Sequence, residues 1–76
     1  MATIHDQKFL QALGIRLRTA REKLDLTQAE LAQLTGLDRT FIGFCERGAR
    51  KASVLNLRKL AKHLRLRLSE LFADLS

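Results

Sequence analysis

The chain lacks several residue types and segments, and each absence excludes a class of protein. Its 76 residues include no proline, tryptophan or tyrosine, which is typical of a helical bundle with few irregular loops. A single cysteine excludes an internal disulfide and favours a reducing cytoplasm. No apolar run approaches the roughly 18 residues that cross a bilayer, and no basic-then-apolar signal pattern opens the chain. We therefore expect a small cytoplasmic protein that has no membrane partner.

Groups that carry catalysis or bind metal ions are equally scarce. His5 and His63 are isolated in the sequence, and neither has a nearby serine or cysteine that could serve as its nucleophile in a catalytic pattern. Cys45 has no second cysteine or histidine at metal-ligand spacing, and it fits a small apolar core position better. We expect no enzyme, no catalytic or metal-ligating residue, no cofactor and no small-molecule ligand.

Basic residues are abundant, and they are concentrated in one part of the chain. The net charge of the whole sequence is +6. Residues 39–67 hold nine Lys and Arg residues against Glu46 alone, a local net charge of +8, so the rest of the chain is slightly acidic. Such clustering is the electrostatic footprint of a protein that binds phosphate groups, although a solvated helix surface also carries basic residues. Charge alone leaves both interpretations open.

Residues 27–47 predict two short helices joined by a tight turn. Thr27 is followed three residues later by Glu30, which makes a capping box in front of an apolar-periodic run. Gly36 can adopt the positive φ that ends a helix sharply, and Asp38 can cap the second helix. Two capped helices around a glycine turn, the second with a polar outer face, describe a helix-turn-helix. This motif points to DNA.

Hydrophobic periodicity predicts five helices, no strand and one domain over residues 1–76. The expected order is a flexible arm at 1–6 followed by helices at about 6–24, 28–34, 39–46, 53–64 and 69–74. Ser53 and Ser69 are the expected caps of the last two helices. Leu34 and Val54 are among the apolar residues expected to point inward. The predicted fold class is all-α, a compact five-helix bundle at a size where a single core is just sufficient.

The motif resembles the Cro/repressor-type helix-turn-helix family, also called XRE-like regulators. The family pattern runs Thr-Gln-x-x-Leu-Ala, then Gly, then a second helix that ends Ile-x-x-x-Glu-x-Gly. The matching positions here are Thr27, Gln28, Leu31, Ala32, Gly36, Ile42, Glu46 and Gly48. The similarity covers roughly residues 8–73. Among the family members that the chain resembles are the controller proteins of restriction–modification systems. It implies a lambda-repressor-like DNA-binding domain and a sequence-specific transcriptional regulator.

The resemblance also implies roles for individual residues. Arg39 and Thr40, at the start of the second motif helix, are expected to read base edges in the major groove. Phe44 is expected either to contact thymine methyl groups there or to pack in the core or in a dimer. Phosphate contacts are expected from Thr27, Gln28, Asp38, Arg47, Arg50 and Lys51. Arg21 and Glu46 are expected to form a partly buried ion pair that fixes the angle of the second motif helix.

The expected partner is double-stranded DNA, bound by a homodimer on a pseudo-palindromic operator with half-sites roughly 34 Å apart. Surplus apolar residues near the end of the chain predict the dimer interface, because exposed apolar patches mark partners. The candidates are Leu55, Leu66, Leu68, Leu71, Phe72 and Leu75. RNA polymerase is a further partner if the protein activates transcription. Two alternatives remain open: an antitoxin-like protein that represses its own operon, and a protein-binding module without DNA contacts.

Overall fold

The computed structural model describes residues 3–75, and in that range it contains five helices and no strand. The helices are α1 (Ile4–Lys23), α2 (Gln28–Thr35), α3 (Arg39–Glu46), α4 (Val54–His63) and α5 (Leu68–Phe72). None of the helices described here qualifies as a membrane-spanning segment. The all-α five-helix fold predicted from the sequence is confirmed.

All five helices contribute aliphatic side chains to one core. The buried residues include Leu13 and Leu17 of α1, Leu31 of α2, Ile42 of α3, Leu57 and Leu60 of α4, and Leu71 of α5. Full burial of one such side chain contributes about 1.5–3 kcal/mol. Helices of five to ten residues, such as α2 to α5, are marginal in isolation. Their stability therefore comes from this shared core.

Side-chain caps determine where the motif helices and α4 begin. The Thr27 hydroxyl accepts a hydrogen bond from the Glu30 backbone N–H at 3.0 Å, and the Glu30 carboxylate accepts one from the Thr27 N–H at 2.9 Å. The bond from the Thr27 backbone, and then the one with its hydroxyl, lower the pKa of Glu30 below its ordinary value. The Ser53 hydroxyl caps α4 by accepting a hydrogen bond from the Asn56 backbone N–H at 3.1 Å, and Gly36, at φ 73°, ends α2.

The first helix begins earlier than the sequence predicted. Thr3 and Asp6 form a capping box of their own, so α1 starts at Ile4. Residues from Ile4 onward are therefore helical where a flexible arm was expected. The Asp6 carboxylate stabilises this first turn because it accepts a hydrogen bond from the Thr3 backbone N–H. Met1 and Ala2 lie outside the described residues.

The last helix also begins earlier than predicted. The Glu70 carboxylate accepts a hydrogen bond from the Arg67 backbone N–H at 2.8 Å, so α5 starts at Leu68 rather than after Ser69. The other end of α5 is held from outside, since the Arg16 guanidinium of α1 donates to the Glu70 carbonyl oxygen at 3.1 Å. These contacts compensate for the unsatisfied backbone groups of a five-residue helix.

Two residues that were expected inside lie on the surface. Leu34 is 53% exposed because α2 turns Leu31 and Thr35 toward the core instead. The Thr35 hydroxyl loses no hydrogen bond there, since it donates to the Leu31 carbonyl oxygen at 2.8 Å. Val54, the first residue of α4, is 67% exposed, because the inward row of that helix begins one turn later at Leu57. The inward predictions for Leu34 and Val54 are wrong.

Candidate nucleic-acid interface

A buried ion pair holds α3 in place. Arg21 donates from Nε to Glu46 Oε2 at 2.6 Å and from Nη2 to Glu46 Oε1 at 3.0 Å, and both side chains are almost fully enclosed. Arg21 Nη1 also donates to the Leu26 carbonyl oxygen at 2.7 Å. The bond to Glu46 raises the pKa of the Arg21 guanidinium above its ordinary value. One side chain thus joins α1, the segment before α2 and the end of α3.

Gln28 connects the two motif helices to this pair. Its Nε2 donates to Glu46 Oε1 at 3.0 Å, so the first residue of α2 is tied to the last residue of α3. Within residues 3–75 no buried side-chain nitrogen or oxygen lacks a hydrogen-bond partner. A fully satisfied polar network in a low-dielectric interior is rigid, and it fixes the angle between α2 and α3.

Two glycines allow α1 to approach the end of α3 directly. A Cβ atom on Gly14 would lie 2.4 Å from the Glu46 carbonyl oxygen and 2.5 Å from that of Cys45. A Cβ atom on Gly48 would lie 2.7 Å from the Gln11 Cα, and Gly48 also has φ 69°. The sequence reasoning overlooked Gly14, although a glycine inside a long helical pattern is a signal of close packing.

The first turn of α3 presents the two expected base readers. Arg39 and Thr40 are both exposed, whereas Ile42 and Cys45 point into the core. Burial raises the pKa of the Cys45 thiol, which keeps it protonated and inert in the core. The outer and inner faces of α3 are therefore divided as the motif requires, with an arginine and a threonine at its leading end.

Asp38 acts as the cap of α3. Its Oδ1 accepts a hydrogen bond from the Thr40 backbone N–H at 2.9 Å. The Asp38 carboxylate itself repels a phosphate group, and the expected phosphate contact at this position stays a prediction. Asp38 stabilises the helix end that carries Arg39.

Phe44 lies half-buried on the outer side of α3 and outside the hydrophobic core. The guanidinium carbon of Arg47 is 4.9 Å from the centroid of the Phe44 ring, within the range of a cation–π interaction. Arg47 ends α3 as its C-cap residue. Arg50 and Lys51 follow in the loop before α4, and all three basic side chains are exposed. Arg47, Arg50 and Lys51 line one groove together, and thus form a basic cluster behind α3.

The dimer candidates are spread over different parts of the surface. Leu71 is fully buried in the core, so its expected role in a dimer interface is wrong. Phe72 is half-buried and stacks on Phe9 of α1 with 6.3 Å between ring centroids, so much of its ring is covered within the chain. Leu55 is 66% exposed and lies beside Val54 on α4.

The remaining candidates lie closer to α1 and α5. Leu66 and Leu75 line a groove on the α1 side of the molecule, where Ile15 is 64% exposed. Leu68 is half-buried against the core. The exposed large aliphatic residues in the described part of the chain lie on three helices, at Ile4, Ile15, Leu34, Val54 and Leu55. The groove at Leu55 is otherwise lined by polar and basic side chains, among them Arg58 and Lys59.

Comparison with known proteins identifies the family of this chain. A helix-turn-helix family model matches residues 17–71. The control protein C.MunI from Mycoplasma sp is 43% identical over 63 residues, which are 82% of this chain and 85% of that protein. The chain belongs to the helix-turn-helix family.

Two solved structures of helix-turn-helix proteins support the assignment. The restriction-modification controller protein C.AhdI from Aeromonas hydrophila has a TM-score of 0.80 and 46% identity, covering 83% of this chain and 96% of that one. An HTH_3 family transcriptional regulator from Vibrio cholerae has a TM-score of 0.82 and 30% identity, covering 91% of this chain and 39% of that one.

The resemblance to Cro/repressor-type regulators is confirmed, and the protein is a DNA-binding transcriptional regulator of the helix-turn-helix family. The family consists of regulators rather than enzymes. The antitoxin-like alternative and the protein-binding module are not favoured, since the relatives are control proteins and transcriptional regulators. No cluster of His, Cys, Asp or Glu within residues 3–75 is arranged to hold a metal ion.

Proposed function

We propose that the protein controls the genes of a restriction–modification system by binding a pseudo-palindromic operator as a homodimer. The similarity to C.MunI, a control protein, and to C.AhdI, a restriction-modification controller protein, supports the biological role. The observation that carries the DNA-binding mode is the exposed first turn of α3, with Arg39 and Thr40, on a helix clamped by Arg21 and Glu46. The helix that contacts the base edges must be held rigidly if it is to discriminate between bases.

In this proposal α3 lies in the major groove with its first turn toward the base edges. Arg39 donates two hydrogen bonds to the O6 and N7 atoms of a guanine, because its planar fork matches these two acceptors. Thr40 contacts the neighbouring base, through its hydroxyl or its methyl group. Each protomer reads one half-site, and the two half-sites lie about 34 Å apart on one face of the duplex.

The phosphate contacts flank α3 on both sides. Gln28 and Thr27 lie at the N-terminal end of α2, where backbone N–H groups and the helix dipole favour an anion. Arg47, Arg50 and Lys51 lie at the other end of α3 and in the loop behind it. The two groups would contact the backbone on either side of the groove that α3 enters. They supply affinity and fix orientation, whereas Arg39 and Thr40 supply specificity.

The homodimer is proposed to form through the surface around Leu55 on α4. Val54 and Leu55 are the most exposed large aliphatic residues described, at 67% and 66%. They follow directly after the loop that carries Arg50 and Lys51. A two-fold contact there leaves the basic loops of both protomers on the same side, as an operator with two half-sites requires.

The protein acts in the cytoplasm, where its operator DNA is found, and it contacts RNA polymerase if it activates transcription. The neighbouring genes test the biological role. A DNA methyltransferase gene and a restriction endonuclease gene beside this one are the expected finding. Their absence, with the gene lying in an unrelated operon, would contradict the assignment to restriction–modification control.

The DNA-binding mode is tested by selection from a pool of randomised duplexes with the wild-type protein. The enriched sequences are expected to contain an inverted repeat whose half-sites are about one helical turn apart. Two protomers per selected duplex are expected in sedimentation of the complex. Enrichment of a single motif without a repeat, or of no motif at all, would overturn the proposal.

A further inference from the structure

Phe44 and Arg47 form a pair on the outer side of α3 that the base-reading scheme leaves unexplained. The guanidinium carbon of Arg47 lies 4.9 Å from the centre of the Phe44 ring. Residues three apart lie next to each other on a helix surface, so the backbone itself brings the two side chains together. The ring is half-buried, and it gives the flexible arginine a fixed support on one side.

The position before Phe44 contributes the second side of this support. A Cβ atom on Gly43 would lie 3.4 Å from Arg47 Nη1 and 3.5 Å from Gln28 Oε1. The arginine guanidinium and the glutamine amide therefore approach the same point on the bare backbone of α3. Glycine inside a helix costs about 1 kcal/mol relative to alanine, so its presence in the middle of α3 calls for a physical reason.

The remaining hydrogen-bonding capacity of Arg47 points to its ligand. Among residues 3–75 the ion pairs are Arg18–Glu22 and Arg21–Glu46, and neither involves Arg47. A guanidinium held over a ring by a cation–π contact keeps N–H donors available for a further partner. Gln28 donates one Nε2 hydrogen to Glu46, which fixes the amide beside Arg47 and leaves the second Nε2 hydrogen for a phosphate oxygen. The arrangement therefore presents N–H donors from a guanidinium whose orientation is already set.

We propose that Phe44 is a positioning residue that holds Arg47 in place for a DNA phosphate, and that it does not read a thymine methyl group. Gly43 leaves the space in which the Arg47 and Gln28 side chains lie side by side and form one phosphate clamp. The inference rests on the proposed phosphate contacts of Arg47 and Gln28. Preordering a long side chain reduces the entropy that must be lost on binding, so the ring strengthens DNA binding without touching DNA.

The test is a double-mutant cycle on a duplex selected by the wild-type protein. Dissociation constants are measured for the wild type, Phe44→Leu, Arg47→Gln and the double variant, with Phe44→Tyr as the conservative replacement. A cation–π contact at a partly exposed site corresponds to an affinity change of about 2- to 5-fold. Phe44→Leu is expected to weaken binding by that factor, and Phe44→Tyr to restore most of it. In the Arg47→Gln background, Phe44→Leu is expected to have no further effect.

A duplex in which uracil replaces every thymine separates the two roles of Phe44. If Phe44 acts through Arg47, the loss caused by Phe44→Leu is the same on both duplexes. A loss that disappears on the uracil duplex, or that persists in full in the Arg47→Gln background, would overturn the proposal in favour of methyl contact or a general effect on α3. If Arg47→Gln alone changes neither affinity nor its salt dependence, the phosphate assignment itself is wrong, and the inference falls with it.

Discussion

At the scale of single residues, Arg21 does most to fix the position of α3. Its guanidinium donates two hydrogen bonds to Glu46 and one to the Leu26 carbonyl oxygen. Buried ion pairs of this kind contribute little net stability, because desolvation offsets the Coulomb attraction. Their loss is nevertheless costly when only one partner is removed. The pair therefore secures a particular arrangement of α1 and α3 more than it stabilises the fold as a whole.

Replacing Arg21 by methionine is expected to lower the free energy of unfolding by about 3–5 kcal/mol, because the Glu46 carboxylate then stays buried without its main partner. Urea denaturation followed by circular dichroism measures the change. Arg18→Met is the matched control, since Arg18 lies on the same helix and pairs with Glu22 on the surface, where both side chains are more than half exposed. Its effect is expected to stay within about 0.5 kcal/mol. Equal losses in the two variants would contradict the account.

Sequence reasoning reached these residues only in part. The Arg21–Glu46 pair was implied by family resemblance, because nothing local in the sequence connects two residues 25 positions apart. The caps at Thr27 and Asp38 were readable from spacing alone, since capping is a local interaction. The stacking of Arg47 on Phe44 was not foreseen. It depends on rotamers, which the pattern of residue types does not determine.

At the scale of helices, the decisive contact is the close approach of α1 to the end of α3. Gly14 faces the Glu46 and Cys45 carbonyl oxygens, and there is no room for a side chain between the two backbones. This contact positions α3 from behind while leaving its outer face exposed. Helix order and type were predictable from apolar periodicity and caps. The starts of α1 and α5 were not, because both depend on carboxylates at N3, Asp6 and Glu70, whose capping role was overlooked.

Gly14→Ala and Gly43→Ala are expected to have opposite effects on stability, although both replace a glycine inside a helix. The Gly14 Cβ would meet backbone atoms at 2.4 Å, so α1 must move away from α3, at a cost of about 1–3 kcal/mol or more. The Gly43 Cβ would meet only side chains at 3.4 Å and beyond, so the better helix propensity of alanine should leave stability unchanged or raise it by up to about 1 kcal/mol. Thermal unfolding compares the two. A stable Gly14→Ala variant would show that the approach is looser than described.

At the scale of the whole molecule, exposed basic residues follow α3 along the chain, and exposed aliphatic residues occur on several helices. Arg39, Arg47, Arg50 and Lys51 are exposed, and Leu55 lies on α4 beside Arg58 and Lys59. The groove near Ile15 lies apart, between α1 and the end of the chain. Of the six apolar residues that the sequence marked as surplus, only Leu55 is exposed, because Leu71 lies in the core and Leu66, Leu68, Phe72 and Leu75 pack against it.

The subunit interface is tested by a pair of matched variants. Leu55→Glu is expected to convert the dimer into monomers in sedimentation equilibrium at micromolar concentrations, because it places a charge in an apolar contact. Ile15→Glu, at an equally exposed aliphatic residue on α1, is expected to leave the dimer intact. The reverse outcome would move the interface to the α1 groove. A wild-type protein that stays monomeric would contradict the homodimer itself.

Arg39 is proposed to read a guanine from α3 in the major groove. Methylation interference tests it directly, because a methyl group on guanine N7 blocks the acceptor that the arginine fork requires. Interference is expected at one guanine in each half-site of the selected duplex, about one helical turn apart, and none is expected with Arg39→Ala. The Arg39→Ala protein should bind the operator about 1–3 kcal/mol more weakly. An interference pattern that is unchanged in Arg39→Ala, or absent from the wild type, would contradict the account.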